Sequence, residues 1–196
     1  DYLDRMLNAT VRMQDLINDL LSFSRLSTRA QVFSTVDLNT LLKEVLSDME
    51  VTIEKTGAKI ISEELPSIIA EPTQMRQLFQ NLISNAIKFR REDETCIIKI
   101  YSKPCPRNNN LIDIFFEDNG IGFDETYLDR IFTIFQRLEG KKSEGSGIGL
   151  AICRKIAIFH GGNINASSKP GQGSTFVVSL ALKQKPGSVP INENDQ

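Results

Sequence analysis

The sequence predicts an α+β fold: a two-layer α/β sandwich whose mixed sheet is covered by helices on one face, with one long helix ahead of it. Helical and strand-like segments interleave between residues 37 and 183, and several strands pair as hairpins instead of each leading into a crossover helix. The first 27 residues carry apolar side chains at uninterrupted three- and four-residue steps. With 196 residues, 40% of them hydrophobic, the chain suffices for one well-packed domain plus an appendage and is too short for two large ones.

In that first segment Leu3, Met6, Leu7, Thr10, Met13, Ile17, Leu20, Leu21 and Phe23 form a stripe between Asp, Arg and Asn, so a long amphipathic helix is expected. The stripe is too wide to be left in water, and a partner helix is expected to cover it. Residues 27–36 break into Ser, Thr, Arg and Gln and read as a linker. Asp37 is an N-cap for a helix that buries Leu38, Leu41, Leu42, Val45, Leu46 and Met49 and runs to about Lys55, before Gly57. Strand-like pieces follow at 58–62 and 67–70. Pro72 suits the first turn of a helix ending near Phe89. Strands at 96–102 and 111–117 flank the turn-rich stretch 103–110 and predict a hairpin. A short helix at 125–132, a polar loop, a helix at 148–159 and strands at 163–167 and 175–182 complete the domain. The polar tail 184–196, with two prolines, is expected to be disordered.

A net charge of -2 and a pI near 5.6 give no basic field for nucleic acid or an anionic membrane. Three scattered cysteines, Cys96, Cys105 and Cys153, have neither metal-ligand spacing nor an even count, and read as free thiols of a reducing compartment. No apolar run reaches the ~18 residues of a membrane span. The expectation is a cytoplasmic piece of a longer protein, since the chain opens at Asp1 inside a helical pattern; its parent could be membrane-anchored.

Four segments carry the chemistry. On the 72–89 helix, Gln74, Gln77, Asn81, Asn85 and Lys88 form a polar stripe opposite Met75, Phe79, Leu82, Ile83, Ala86 and Ile87. Asn is a weak helix former, so Asn81 and Asn85 at i, i+4 suggest side chains kept for contacts; an amide oxygen suits Mg²⁺ and a Lys one turn on suits phosphate. An ordinary exposed helix face fits this stripe equally well. Next, Asp118-Asn119-Gly120-Ile121-Gly122 follows an apolar strand. A carboxylate there can accept from an adenine amino group, and a simple Asx turn accounts for the same residues. Third, Gly145-Ser146-Gly147-Ile148-Gly149-Leu150 opens a helix whose first amides could meet phosphate oxygens. It fits neither a Rossmann nor a Walker loop, because no strand precedes it directly and no Lys-Ser/Thr follows Gly147. The loop before it, with Lys141 and Lys142, reads as a lid. Last, Gly171-Gln172-Gly173-Ser174-Thr175-Phe176 is either a glycine hairpin turn or a contributor of hydroxyls to an adenine contact.

Taken in order, these segments resemble the N, G1, G2 and G3 boxes of the sensor histidine kinase catalytic domain, within the group that includes gyrase, the Hsp90 chaperones and MutL. Phe132-Thr133-Ile134-Phe135-Gln136-Arg137-Leu138 resembles the F box. Together they cover nearly all of residues 37–183. The resemblance implies a Bergerat-type ATP-binding fold with ATP and Mg²⁺ as cofactors: Asn85 on the metal, Lys88 and Arg137 on the phosphates, Phe89 against the nucleotide and Asp118 on the adenine amino group. Gly120 and Gly122 would shape the pocket. Gly145, Gly147, Gly149 and Leu150 would form the lid hinge and phosphate cradle, and Ser174 or Thr175 would assist at the adenine. Asn81 stands where the ATPases of this group hold a glutamate that activates water; an amide has no such basicity, so the resemblance implies transfer to a histidine imidazole rather than to water.

Residues 1–33 resemble the second helix of the family's dimerisation and phosphoacceptor hairpin, through Asp19-Leu20-Leu21-Ser22-Phe23-Ser24-Arg25. The acceptor-bearing first helix is expected upstream of Asp1. Homodimerisation of the parent through this helix, and a response regulator receiver domain as partner, follow from the resemblance; contact with nucleic acid or membrane does not. The only histidine, His160, ends the 148–159 helix and reads as a partner of that helix's dipole. Two other readings stay open: a nucleotide-binding pseudokinase that serves as a dimerising scaffold, and a gyrase- or chaperone-type ATPase.

Overall fold

The computed structural model describes residues 2–25, 32–136 and 146–183. Helix α1 (Tyr2–Arg25) leads into β1 (Ser34–Asp37), α2 (Leu38–Asp48), α3 (Glu50–Thr56), β2 (Lys59–Ser62), β3 (Ser67–Ala70) and α4 (Pro72–Lys88). Then come β4 (Ile97–Pro104), β5 (Leu111–Asp118), a single 3-10 turn (Glu125–Tyr127), α5 (Leu128–Ile131), α6 (Gly149–Phe159), β6 (Asn163–Lys169) and β7 (Gly173–Ala181).

Five strands form one mixed sheet in the order β2-β4-β5-β7-β6, with β2 parallel to β4 and every other pair antiparallel. Strand alternation sets its two faces. Ile98, Ile100, Ile114, Phe116, Val178 and Leu180 are buried under the helices, whereas Lys99, Tyr101, Phe115, Glu117, Thr175 and Val177 point the other way. Helices α4, α6 and α2 supply the second layer through Leu38, Leu78, Phe79, Ile83, Ile152 and Ile156. The Phe79 ring meets Phe116 edge-on at 5.1 Å; truncating Phe79 to Ala would cost about 3–5 kcal/mol. The expected two-layer architecture is the observed one.

Local chemistry fixes the helix starts. The Asp37 carboxylate accepts from Asn39 N at 2.9 Å and Thr40 Oγ1 at 2.8 Å, capping α2. Asn39 in turn clamps Leu65, donating to its carbonyl at 2.6 Å and accepting its amide at 2.9 Å. Glu71 caps α4 by accepting from Thr73 N at 3.2 Å and Gln74 N at 2.6 Å, with Pro72 in the first turn, where its missing N–H costs nothing.

Three expectations change. The helix expected from 38 to about 55 is two helices, broken at Met49, whose φ of -100° and ψ of 5° leave the helical range. The segment read as linker contains a strand: β1 pairs antiparallel with β3 in a separate two-stranded sheet, where Val36 is buried beside Ile68. Gln74, placed in the polar stripe of α4, is buried at 4% exposure, because that end of α4 lies under the α6 terminus instead of facing solvent. The tail 184–196 lies outside the described residues.

Along α1, Tyr2, Leu3, Met6, Leu7, Met13, Ile17, Leu20 and Leu21 are exposed, while Leu16 and Phe23 pack on the domain. Lys155 of α6 donates to the Phe23 carbonyl at 3.1 Å and sits 4.2 Å from the centre of its ring. Among the described residues the stripe is thus exposed from Leu3 to Leu21 and meets the domain only at its Phe23 end. No helix among the described residues is long and apolar enough to cross a membrane.

Candidate nucleotide site

The site is built where the C-terminal end of α4 meets the turn after β5. The α4 end is terminated by Phe89, whose amide donates to the Asn85 carbonyl at 2.9 Å. Its own carbonyl accepts the Ile121 amide at 2.9 Å. Asp118, the last residue of β5, turns its carboxylate back to accept the Gly120 amide at 2.8 Å. A Cβ on Gly120 would lie 2.5 Å from the Phe89 carbonyl oxygen and 2.7 Å from Asp118 Oδ1, so only glycine lets these groups converge. Asn85 is one helical turn back along α4, half-buried, and Asn81 one turn further. Asn85 and Asp118 are thus gathered at one corner of the domain by two backbone hydrogen bonds and one glycine.

Burial pushes the Asp118 carboxyl up from the usual 3.8 to about 6, aided by Glu117 and opposed by the amides of Gly120 and Ser174. A carboxylate held at that cost, at the rim of a sheet, is a candidate for an incoming donor that restores its hydrogen bonding. Phe89 beside it is 38% exposed, a large aromatic left for a ligand to cover, and the Lys88 ammonium stands 4.8 Å from its ring centre.

The opposite wall is α6. Asn81 Nδ2 donates to the Gly149 carbonyl at 3.3 Å, tying the α4 stripe to the first turn of α6. The residue before that turn, Ile148, is fully buried and makes no side-chain cap, while its own amide donates to Ser146 Oγ at 3.2 Å. Gly147, at a φ of 73°, accepts the Phe135 amide at 3.2 Å, joining the F-box residues to the α6 start. Leu150 packs on the core. Arg137, Gly145, Lys141 and Lys142 lie outside the described residues.

The β6–β7 turn abuts the Asp118 end of the corner. Asp118 is in register with Ser174, and Ser174 Oγ lies 3.1 Å from Ser168 Oγ. A polar cavity of about 400 Å³ opens beside them, lined in part by Glu117, Asp118, Ser168, Ser174 and Thr175, though by neither Asn85 nor Lys88. Ser174 and Thr175, either of which the resemblance offers for the adenine, both line this cavity but stand on different faces of the sheet. Thr175 is in register with Glu117 and shares the outer sheet face with Lys99, because side chains alternate along β7, so Ser174 has the side of Asp118. Gly122, at a φ of 61°, could carry no side chain: a Cβ would sit 2.1 Å from the Lys169 carbonyl oxygen.

Residues 70–184 match the family model described as histidine kinase-, DNA gyrase B-, and HSP90-like ATPase, and that span holds every site segment above. The chain belongs to this family. Among curated relatives, the phytochrome-like protein Cph1 of Synechocystis sp. is 37% identical over 93% of this chain and 24% of its own length. The chain spans about a quarter of the length of the curated relatives it matches first. Among solved structures, full-length ShkA in complex with AMPPNP covers 94% of this chain and 39% of its own, at 26% identity and a TM-score of 0.74. The histidine kinase ThkA in complex with the response regulator protein TrrA covers 92% of this chain and 50% of its own, at 26% identity and a TM-score of 0.72.

Two residues of this ATPase-type site escaped the sequence reading. Ser168 accepts the Phe123 amide at 2.8 Å and donates to the Gly173 carbonyl at 2.8 Å, holding the turn under Ser174. Arg91 donates to the Gly171 carbonyl at 3.0 Å. The contacts to Phe123 and Gly171 join segments far apart in sequence, and the adjacency of Arg91 to the end of α4 is the one sequence signal that could have found it.

Proposed function

We propose that residues 37–183 form the catalytic domain of a sensor histidine kinase, transferring the γ-phosphoryl group of Mg-ATP to a histidine outside this chain for relay to an aspartate of a response regulator. The observation that carries this reading is the convergence of the Asn85 turn of α4 with Asp118 through Phe89, Gly120 and Ile121. Asp118 accepts from the adenine amino group, with Ser174 beside it. Phe89 lies against the base, and Lys88 and Arg137 face the phosphates. The uncapped α6 start, with Gly145, Gly147, Gly149 and Leu150, cradles the phosphate end.

The donor set fits magnesium. Among the described residues no three His, Cys, Asp or Glu side chains cluster as a metal cage. Mg²⁺ bound alongside nucleotide uses one or two protein oxygens plus phosphates and water, and Asn85 would hold it. When bound it would supply charge neutralisation on the triphosphate.

The acceptor must come from elsewhere. His160 is 1% exposed, and both its ring nitrogens are occupied, Nε2 accepting from Glu71 N at 3.1 Å and Nδ1 facing the Ile156 carbonyl at 2.8 Å. Asn81 cannot deprotonate water, so the reaction needs an imidazole brought to the γ-phosphate. Residues 1–33 supply half of a dimerisation hairpin for a homodimeric parent, and a response regulator receiver domain is the downstream partner; the ThkA complex with TrrA supports that assignment. The domain works in the cytoplasm.

The experiment is transfer of radiolabelled phosphate from ATP by this chain to a separately supplied acceptor hairpin. Labelled phosphohistidine is the expected product. Tight ATP binding without transfer would favour the scaffold reading, and steady ATP hydrolysis by the chain alone would favour the ATPase reading.

A further inference from the structure

The turn between β6 and β7 is held to the adenine corner on two sides. On one, strand register places Ser174 opposite Asp118. On the other, a closed circuit of hydrogen bonds runs through three segments. The Phe89 carbonyl accepts the Ile121 amide at 2.9 Å, and the Ile121 carbonyl accepts the Gly171 amide at 2.7 Å. The Gly171 carbonyl then accepts Arg91 Nη1 at 3.0 Å, and Arg91 lies two residues beyond Phe89.

The turn is shaped for this. Lys169 accepts the Gln172 amide at 3.0 Å across Pro170 and Gly171, whose φ of 76° is the left-handed value a proline-glycine turn requires. That conformation sets both the Gly171 amide and its carbonyl across the turn axis, one toward Ile121 and the other toward Arg91. Backbone meets backbone here with no side chain between, since a Cβ on Gly173 would lie 1.9 Å from the Asp118 carbonyl oxygen. The position of the Asp118 turn therefore depends on the turn that abuts it, and that turn depends on Arg91.

The guanidinium is suited to the task. Its Nη2 is paired with Glu94 while Nη1 reaches Gly171, a two-pronged hold that a single ammonium cannot reproduce. The side chain is 27% exposed, so the pair is partly screened from water.

We propose that Arg91 is a positioning residue for base recognition: by closing the circuit Phe89–Ile121–Gly171–Arg91 it fixes the Asp118 turn so that the carboxylate reads the purine 6-amino group. This rests on the nucleotide reading above.

The test compares binding of ATP with that of ITP, which has an oxo group in place of the 6-amino group, by calorimetry on the whole chain. Wild type, Arg91→Ala, Arg91→Lys and Asp118→Asn are compared, with thermal melting as the fold control. Wild type is expected to prefer ATP. Arg91→Ala is expected to lose about tenfold in ATP affinity while ITP affinity stays nearly constant, and Arg91→Lys to recover part of the preference. Should the alanine variant melt early, Arg91→Gln, with a similar stem and no charge, carries the same expectation.

Equal weakening of both nucleotides would show a merely structural arginine and overturn the proposal, as would an unchanged ATP-to-ITP ratio in a variant that folds. If Asp118→Asn abolishes the preference and the Arg91 variants do not, the proposal fails and the adenine reading survives. If wild type shows no preference, the adenine reading itself fails.

Discussion

The Asn81 side-chain amide donates to the carbonyl of Gly149 at 3.3 Å, so one residue of the α4 stripe holds the start of α6, the helix proposed to meet the phosphates. A glutamate here could act as a base toward water; an amide serves instead as a strut between two walls of the site. Asn81→Ala is expected to lower phosphotransfer to a supplied hairpin by about tenfold or more while changing ATP affinity less, because the interaction positions and does not anchor the nucleotide. Single-turnover transfer rates beside equilibrium binding would check this, and equal losses in both would contradict it.

Asn85 and Asp118 are assigned to opposite ends of one ligand, so their removal should be separable. Asn85→Ala is expected to weaken ATP binding about tenfold in the presence of Mg²⁺ and little in its absence. Asp118→Asn should weaken it by a similar factor with or without the metal. Titrations with ATP in magnesium and in EDTA test the split; a metal-dependent defect from Asp118→Asn would undo the assignment of ends.

Much of this was legible before any coordinates, for physical reasons. The i, i+4 spacing on α4 survives folding because a helix is locally determined, and the β5 turn is legible because Asp118 and Gly120 make their own local bond. What the sequence hid is non-local. Strand β1 reads as linker because its partner β3 lies more than thirty residues on. Gln74 looks solvated until the α6 terminus is seen to lie over it, and Thr175 looks interchangeable with Ser174 until the register assigns them opposite faces. Arg91 has no local signature at all: its partner Gly171 is a backbone carbonyl.

Asp118 also sets stability against function. Its carboxyl is raised by burial to about 6 from 3.8, so between those values the folded chain binds the proton that the unfolded chain has released. Its contribution to stability therefore falls as pH rises from about 4 to about 6 and stays low above. Asp118→Asn, which keeps an acceptor for the Gly120 amide, is expected to stabilise the fold at pH 7 by on the order of 2 kcal/mol even as it weakens ATP binding. In the wild type, ATP affinity should drop as pH falls below about 6 and the carboxylate is neutralised. Melts and ATP titrations across pH 5–8 measure both; a variant less stable than wild type would contradict the burial argument.

His160 carries the opposite sign. The sequence reads it as a partner of the α6 dipole; its ring is buried against the stacked pair Phe33 and Phe159, and its Nε2 accepts the Glu71 amide. An acceptor nitrogen is unprotonated, so the proton is on Nδ1, donated to Ile156, and the ring is neutral. Burial holds its pKa below the usual 6.5, against the pull of the Ile156 carbonyl and of Glu71. Protonation would turn Nε2 into a donor facing another donor and loosen the cap of α4. The unfolded chain takes up this proton first, so stability is fully present above about 6.5 and declines as pH falls below that value. Glutamine at this position can accept from Glu71 and donate to Ile156 but does not titrate. His160→Gln should therefore flatten the acid-side decline at a cost of about 1–2 kcal/mol at pH 8, whereas His160→Ala, leaving the Glu71 amide unpaired and a cavity beside Phe33, should cost about 2–4 kcal/mol. Because Asp118 contributes with the reverse slope below pH 6, urea denaturation is best followed from pH 5 to 8 in the Asp118→Asn background. A slope there that His160→Gln leaves intact would place the titrating group elsewhere.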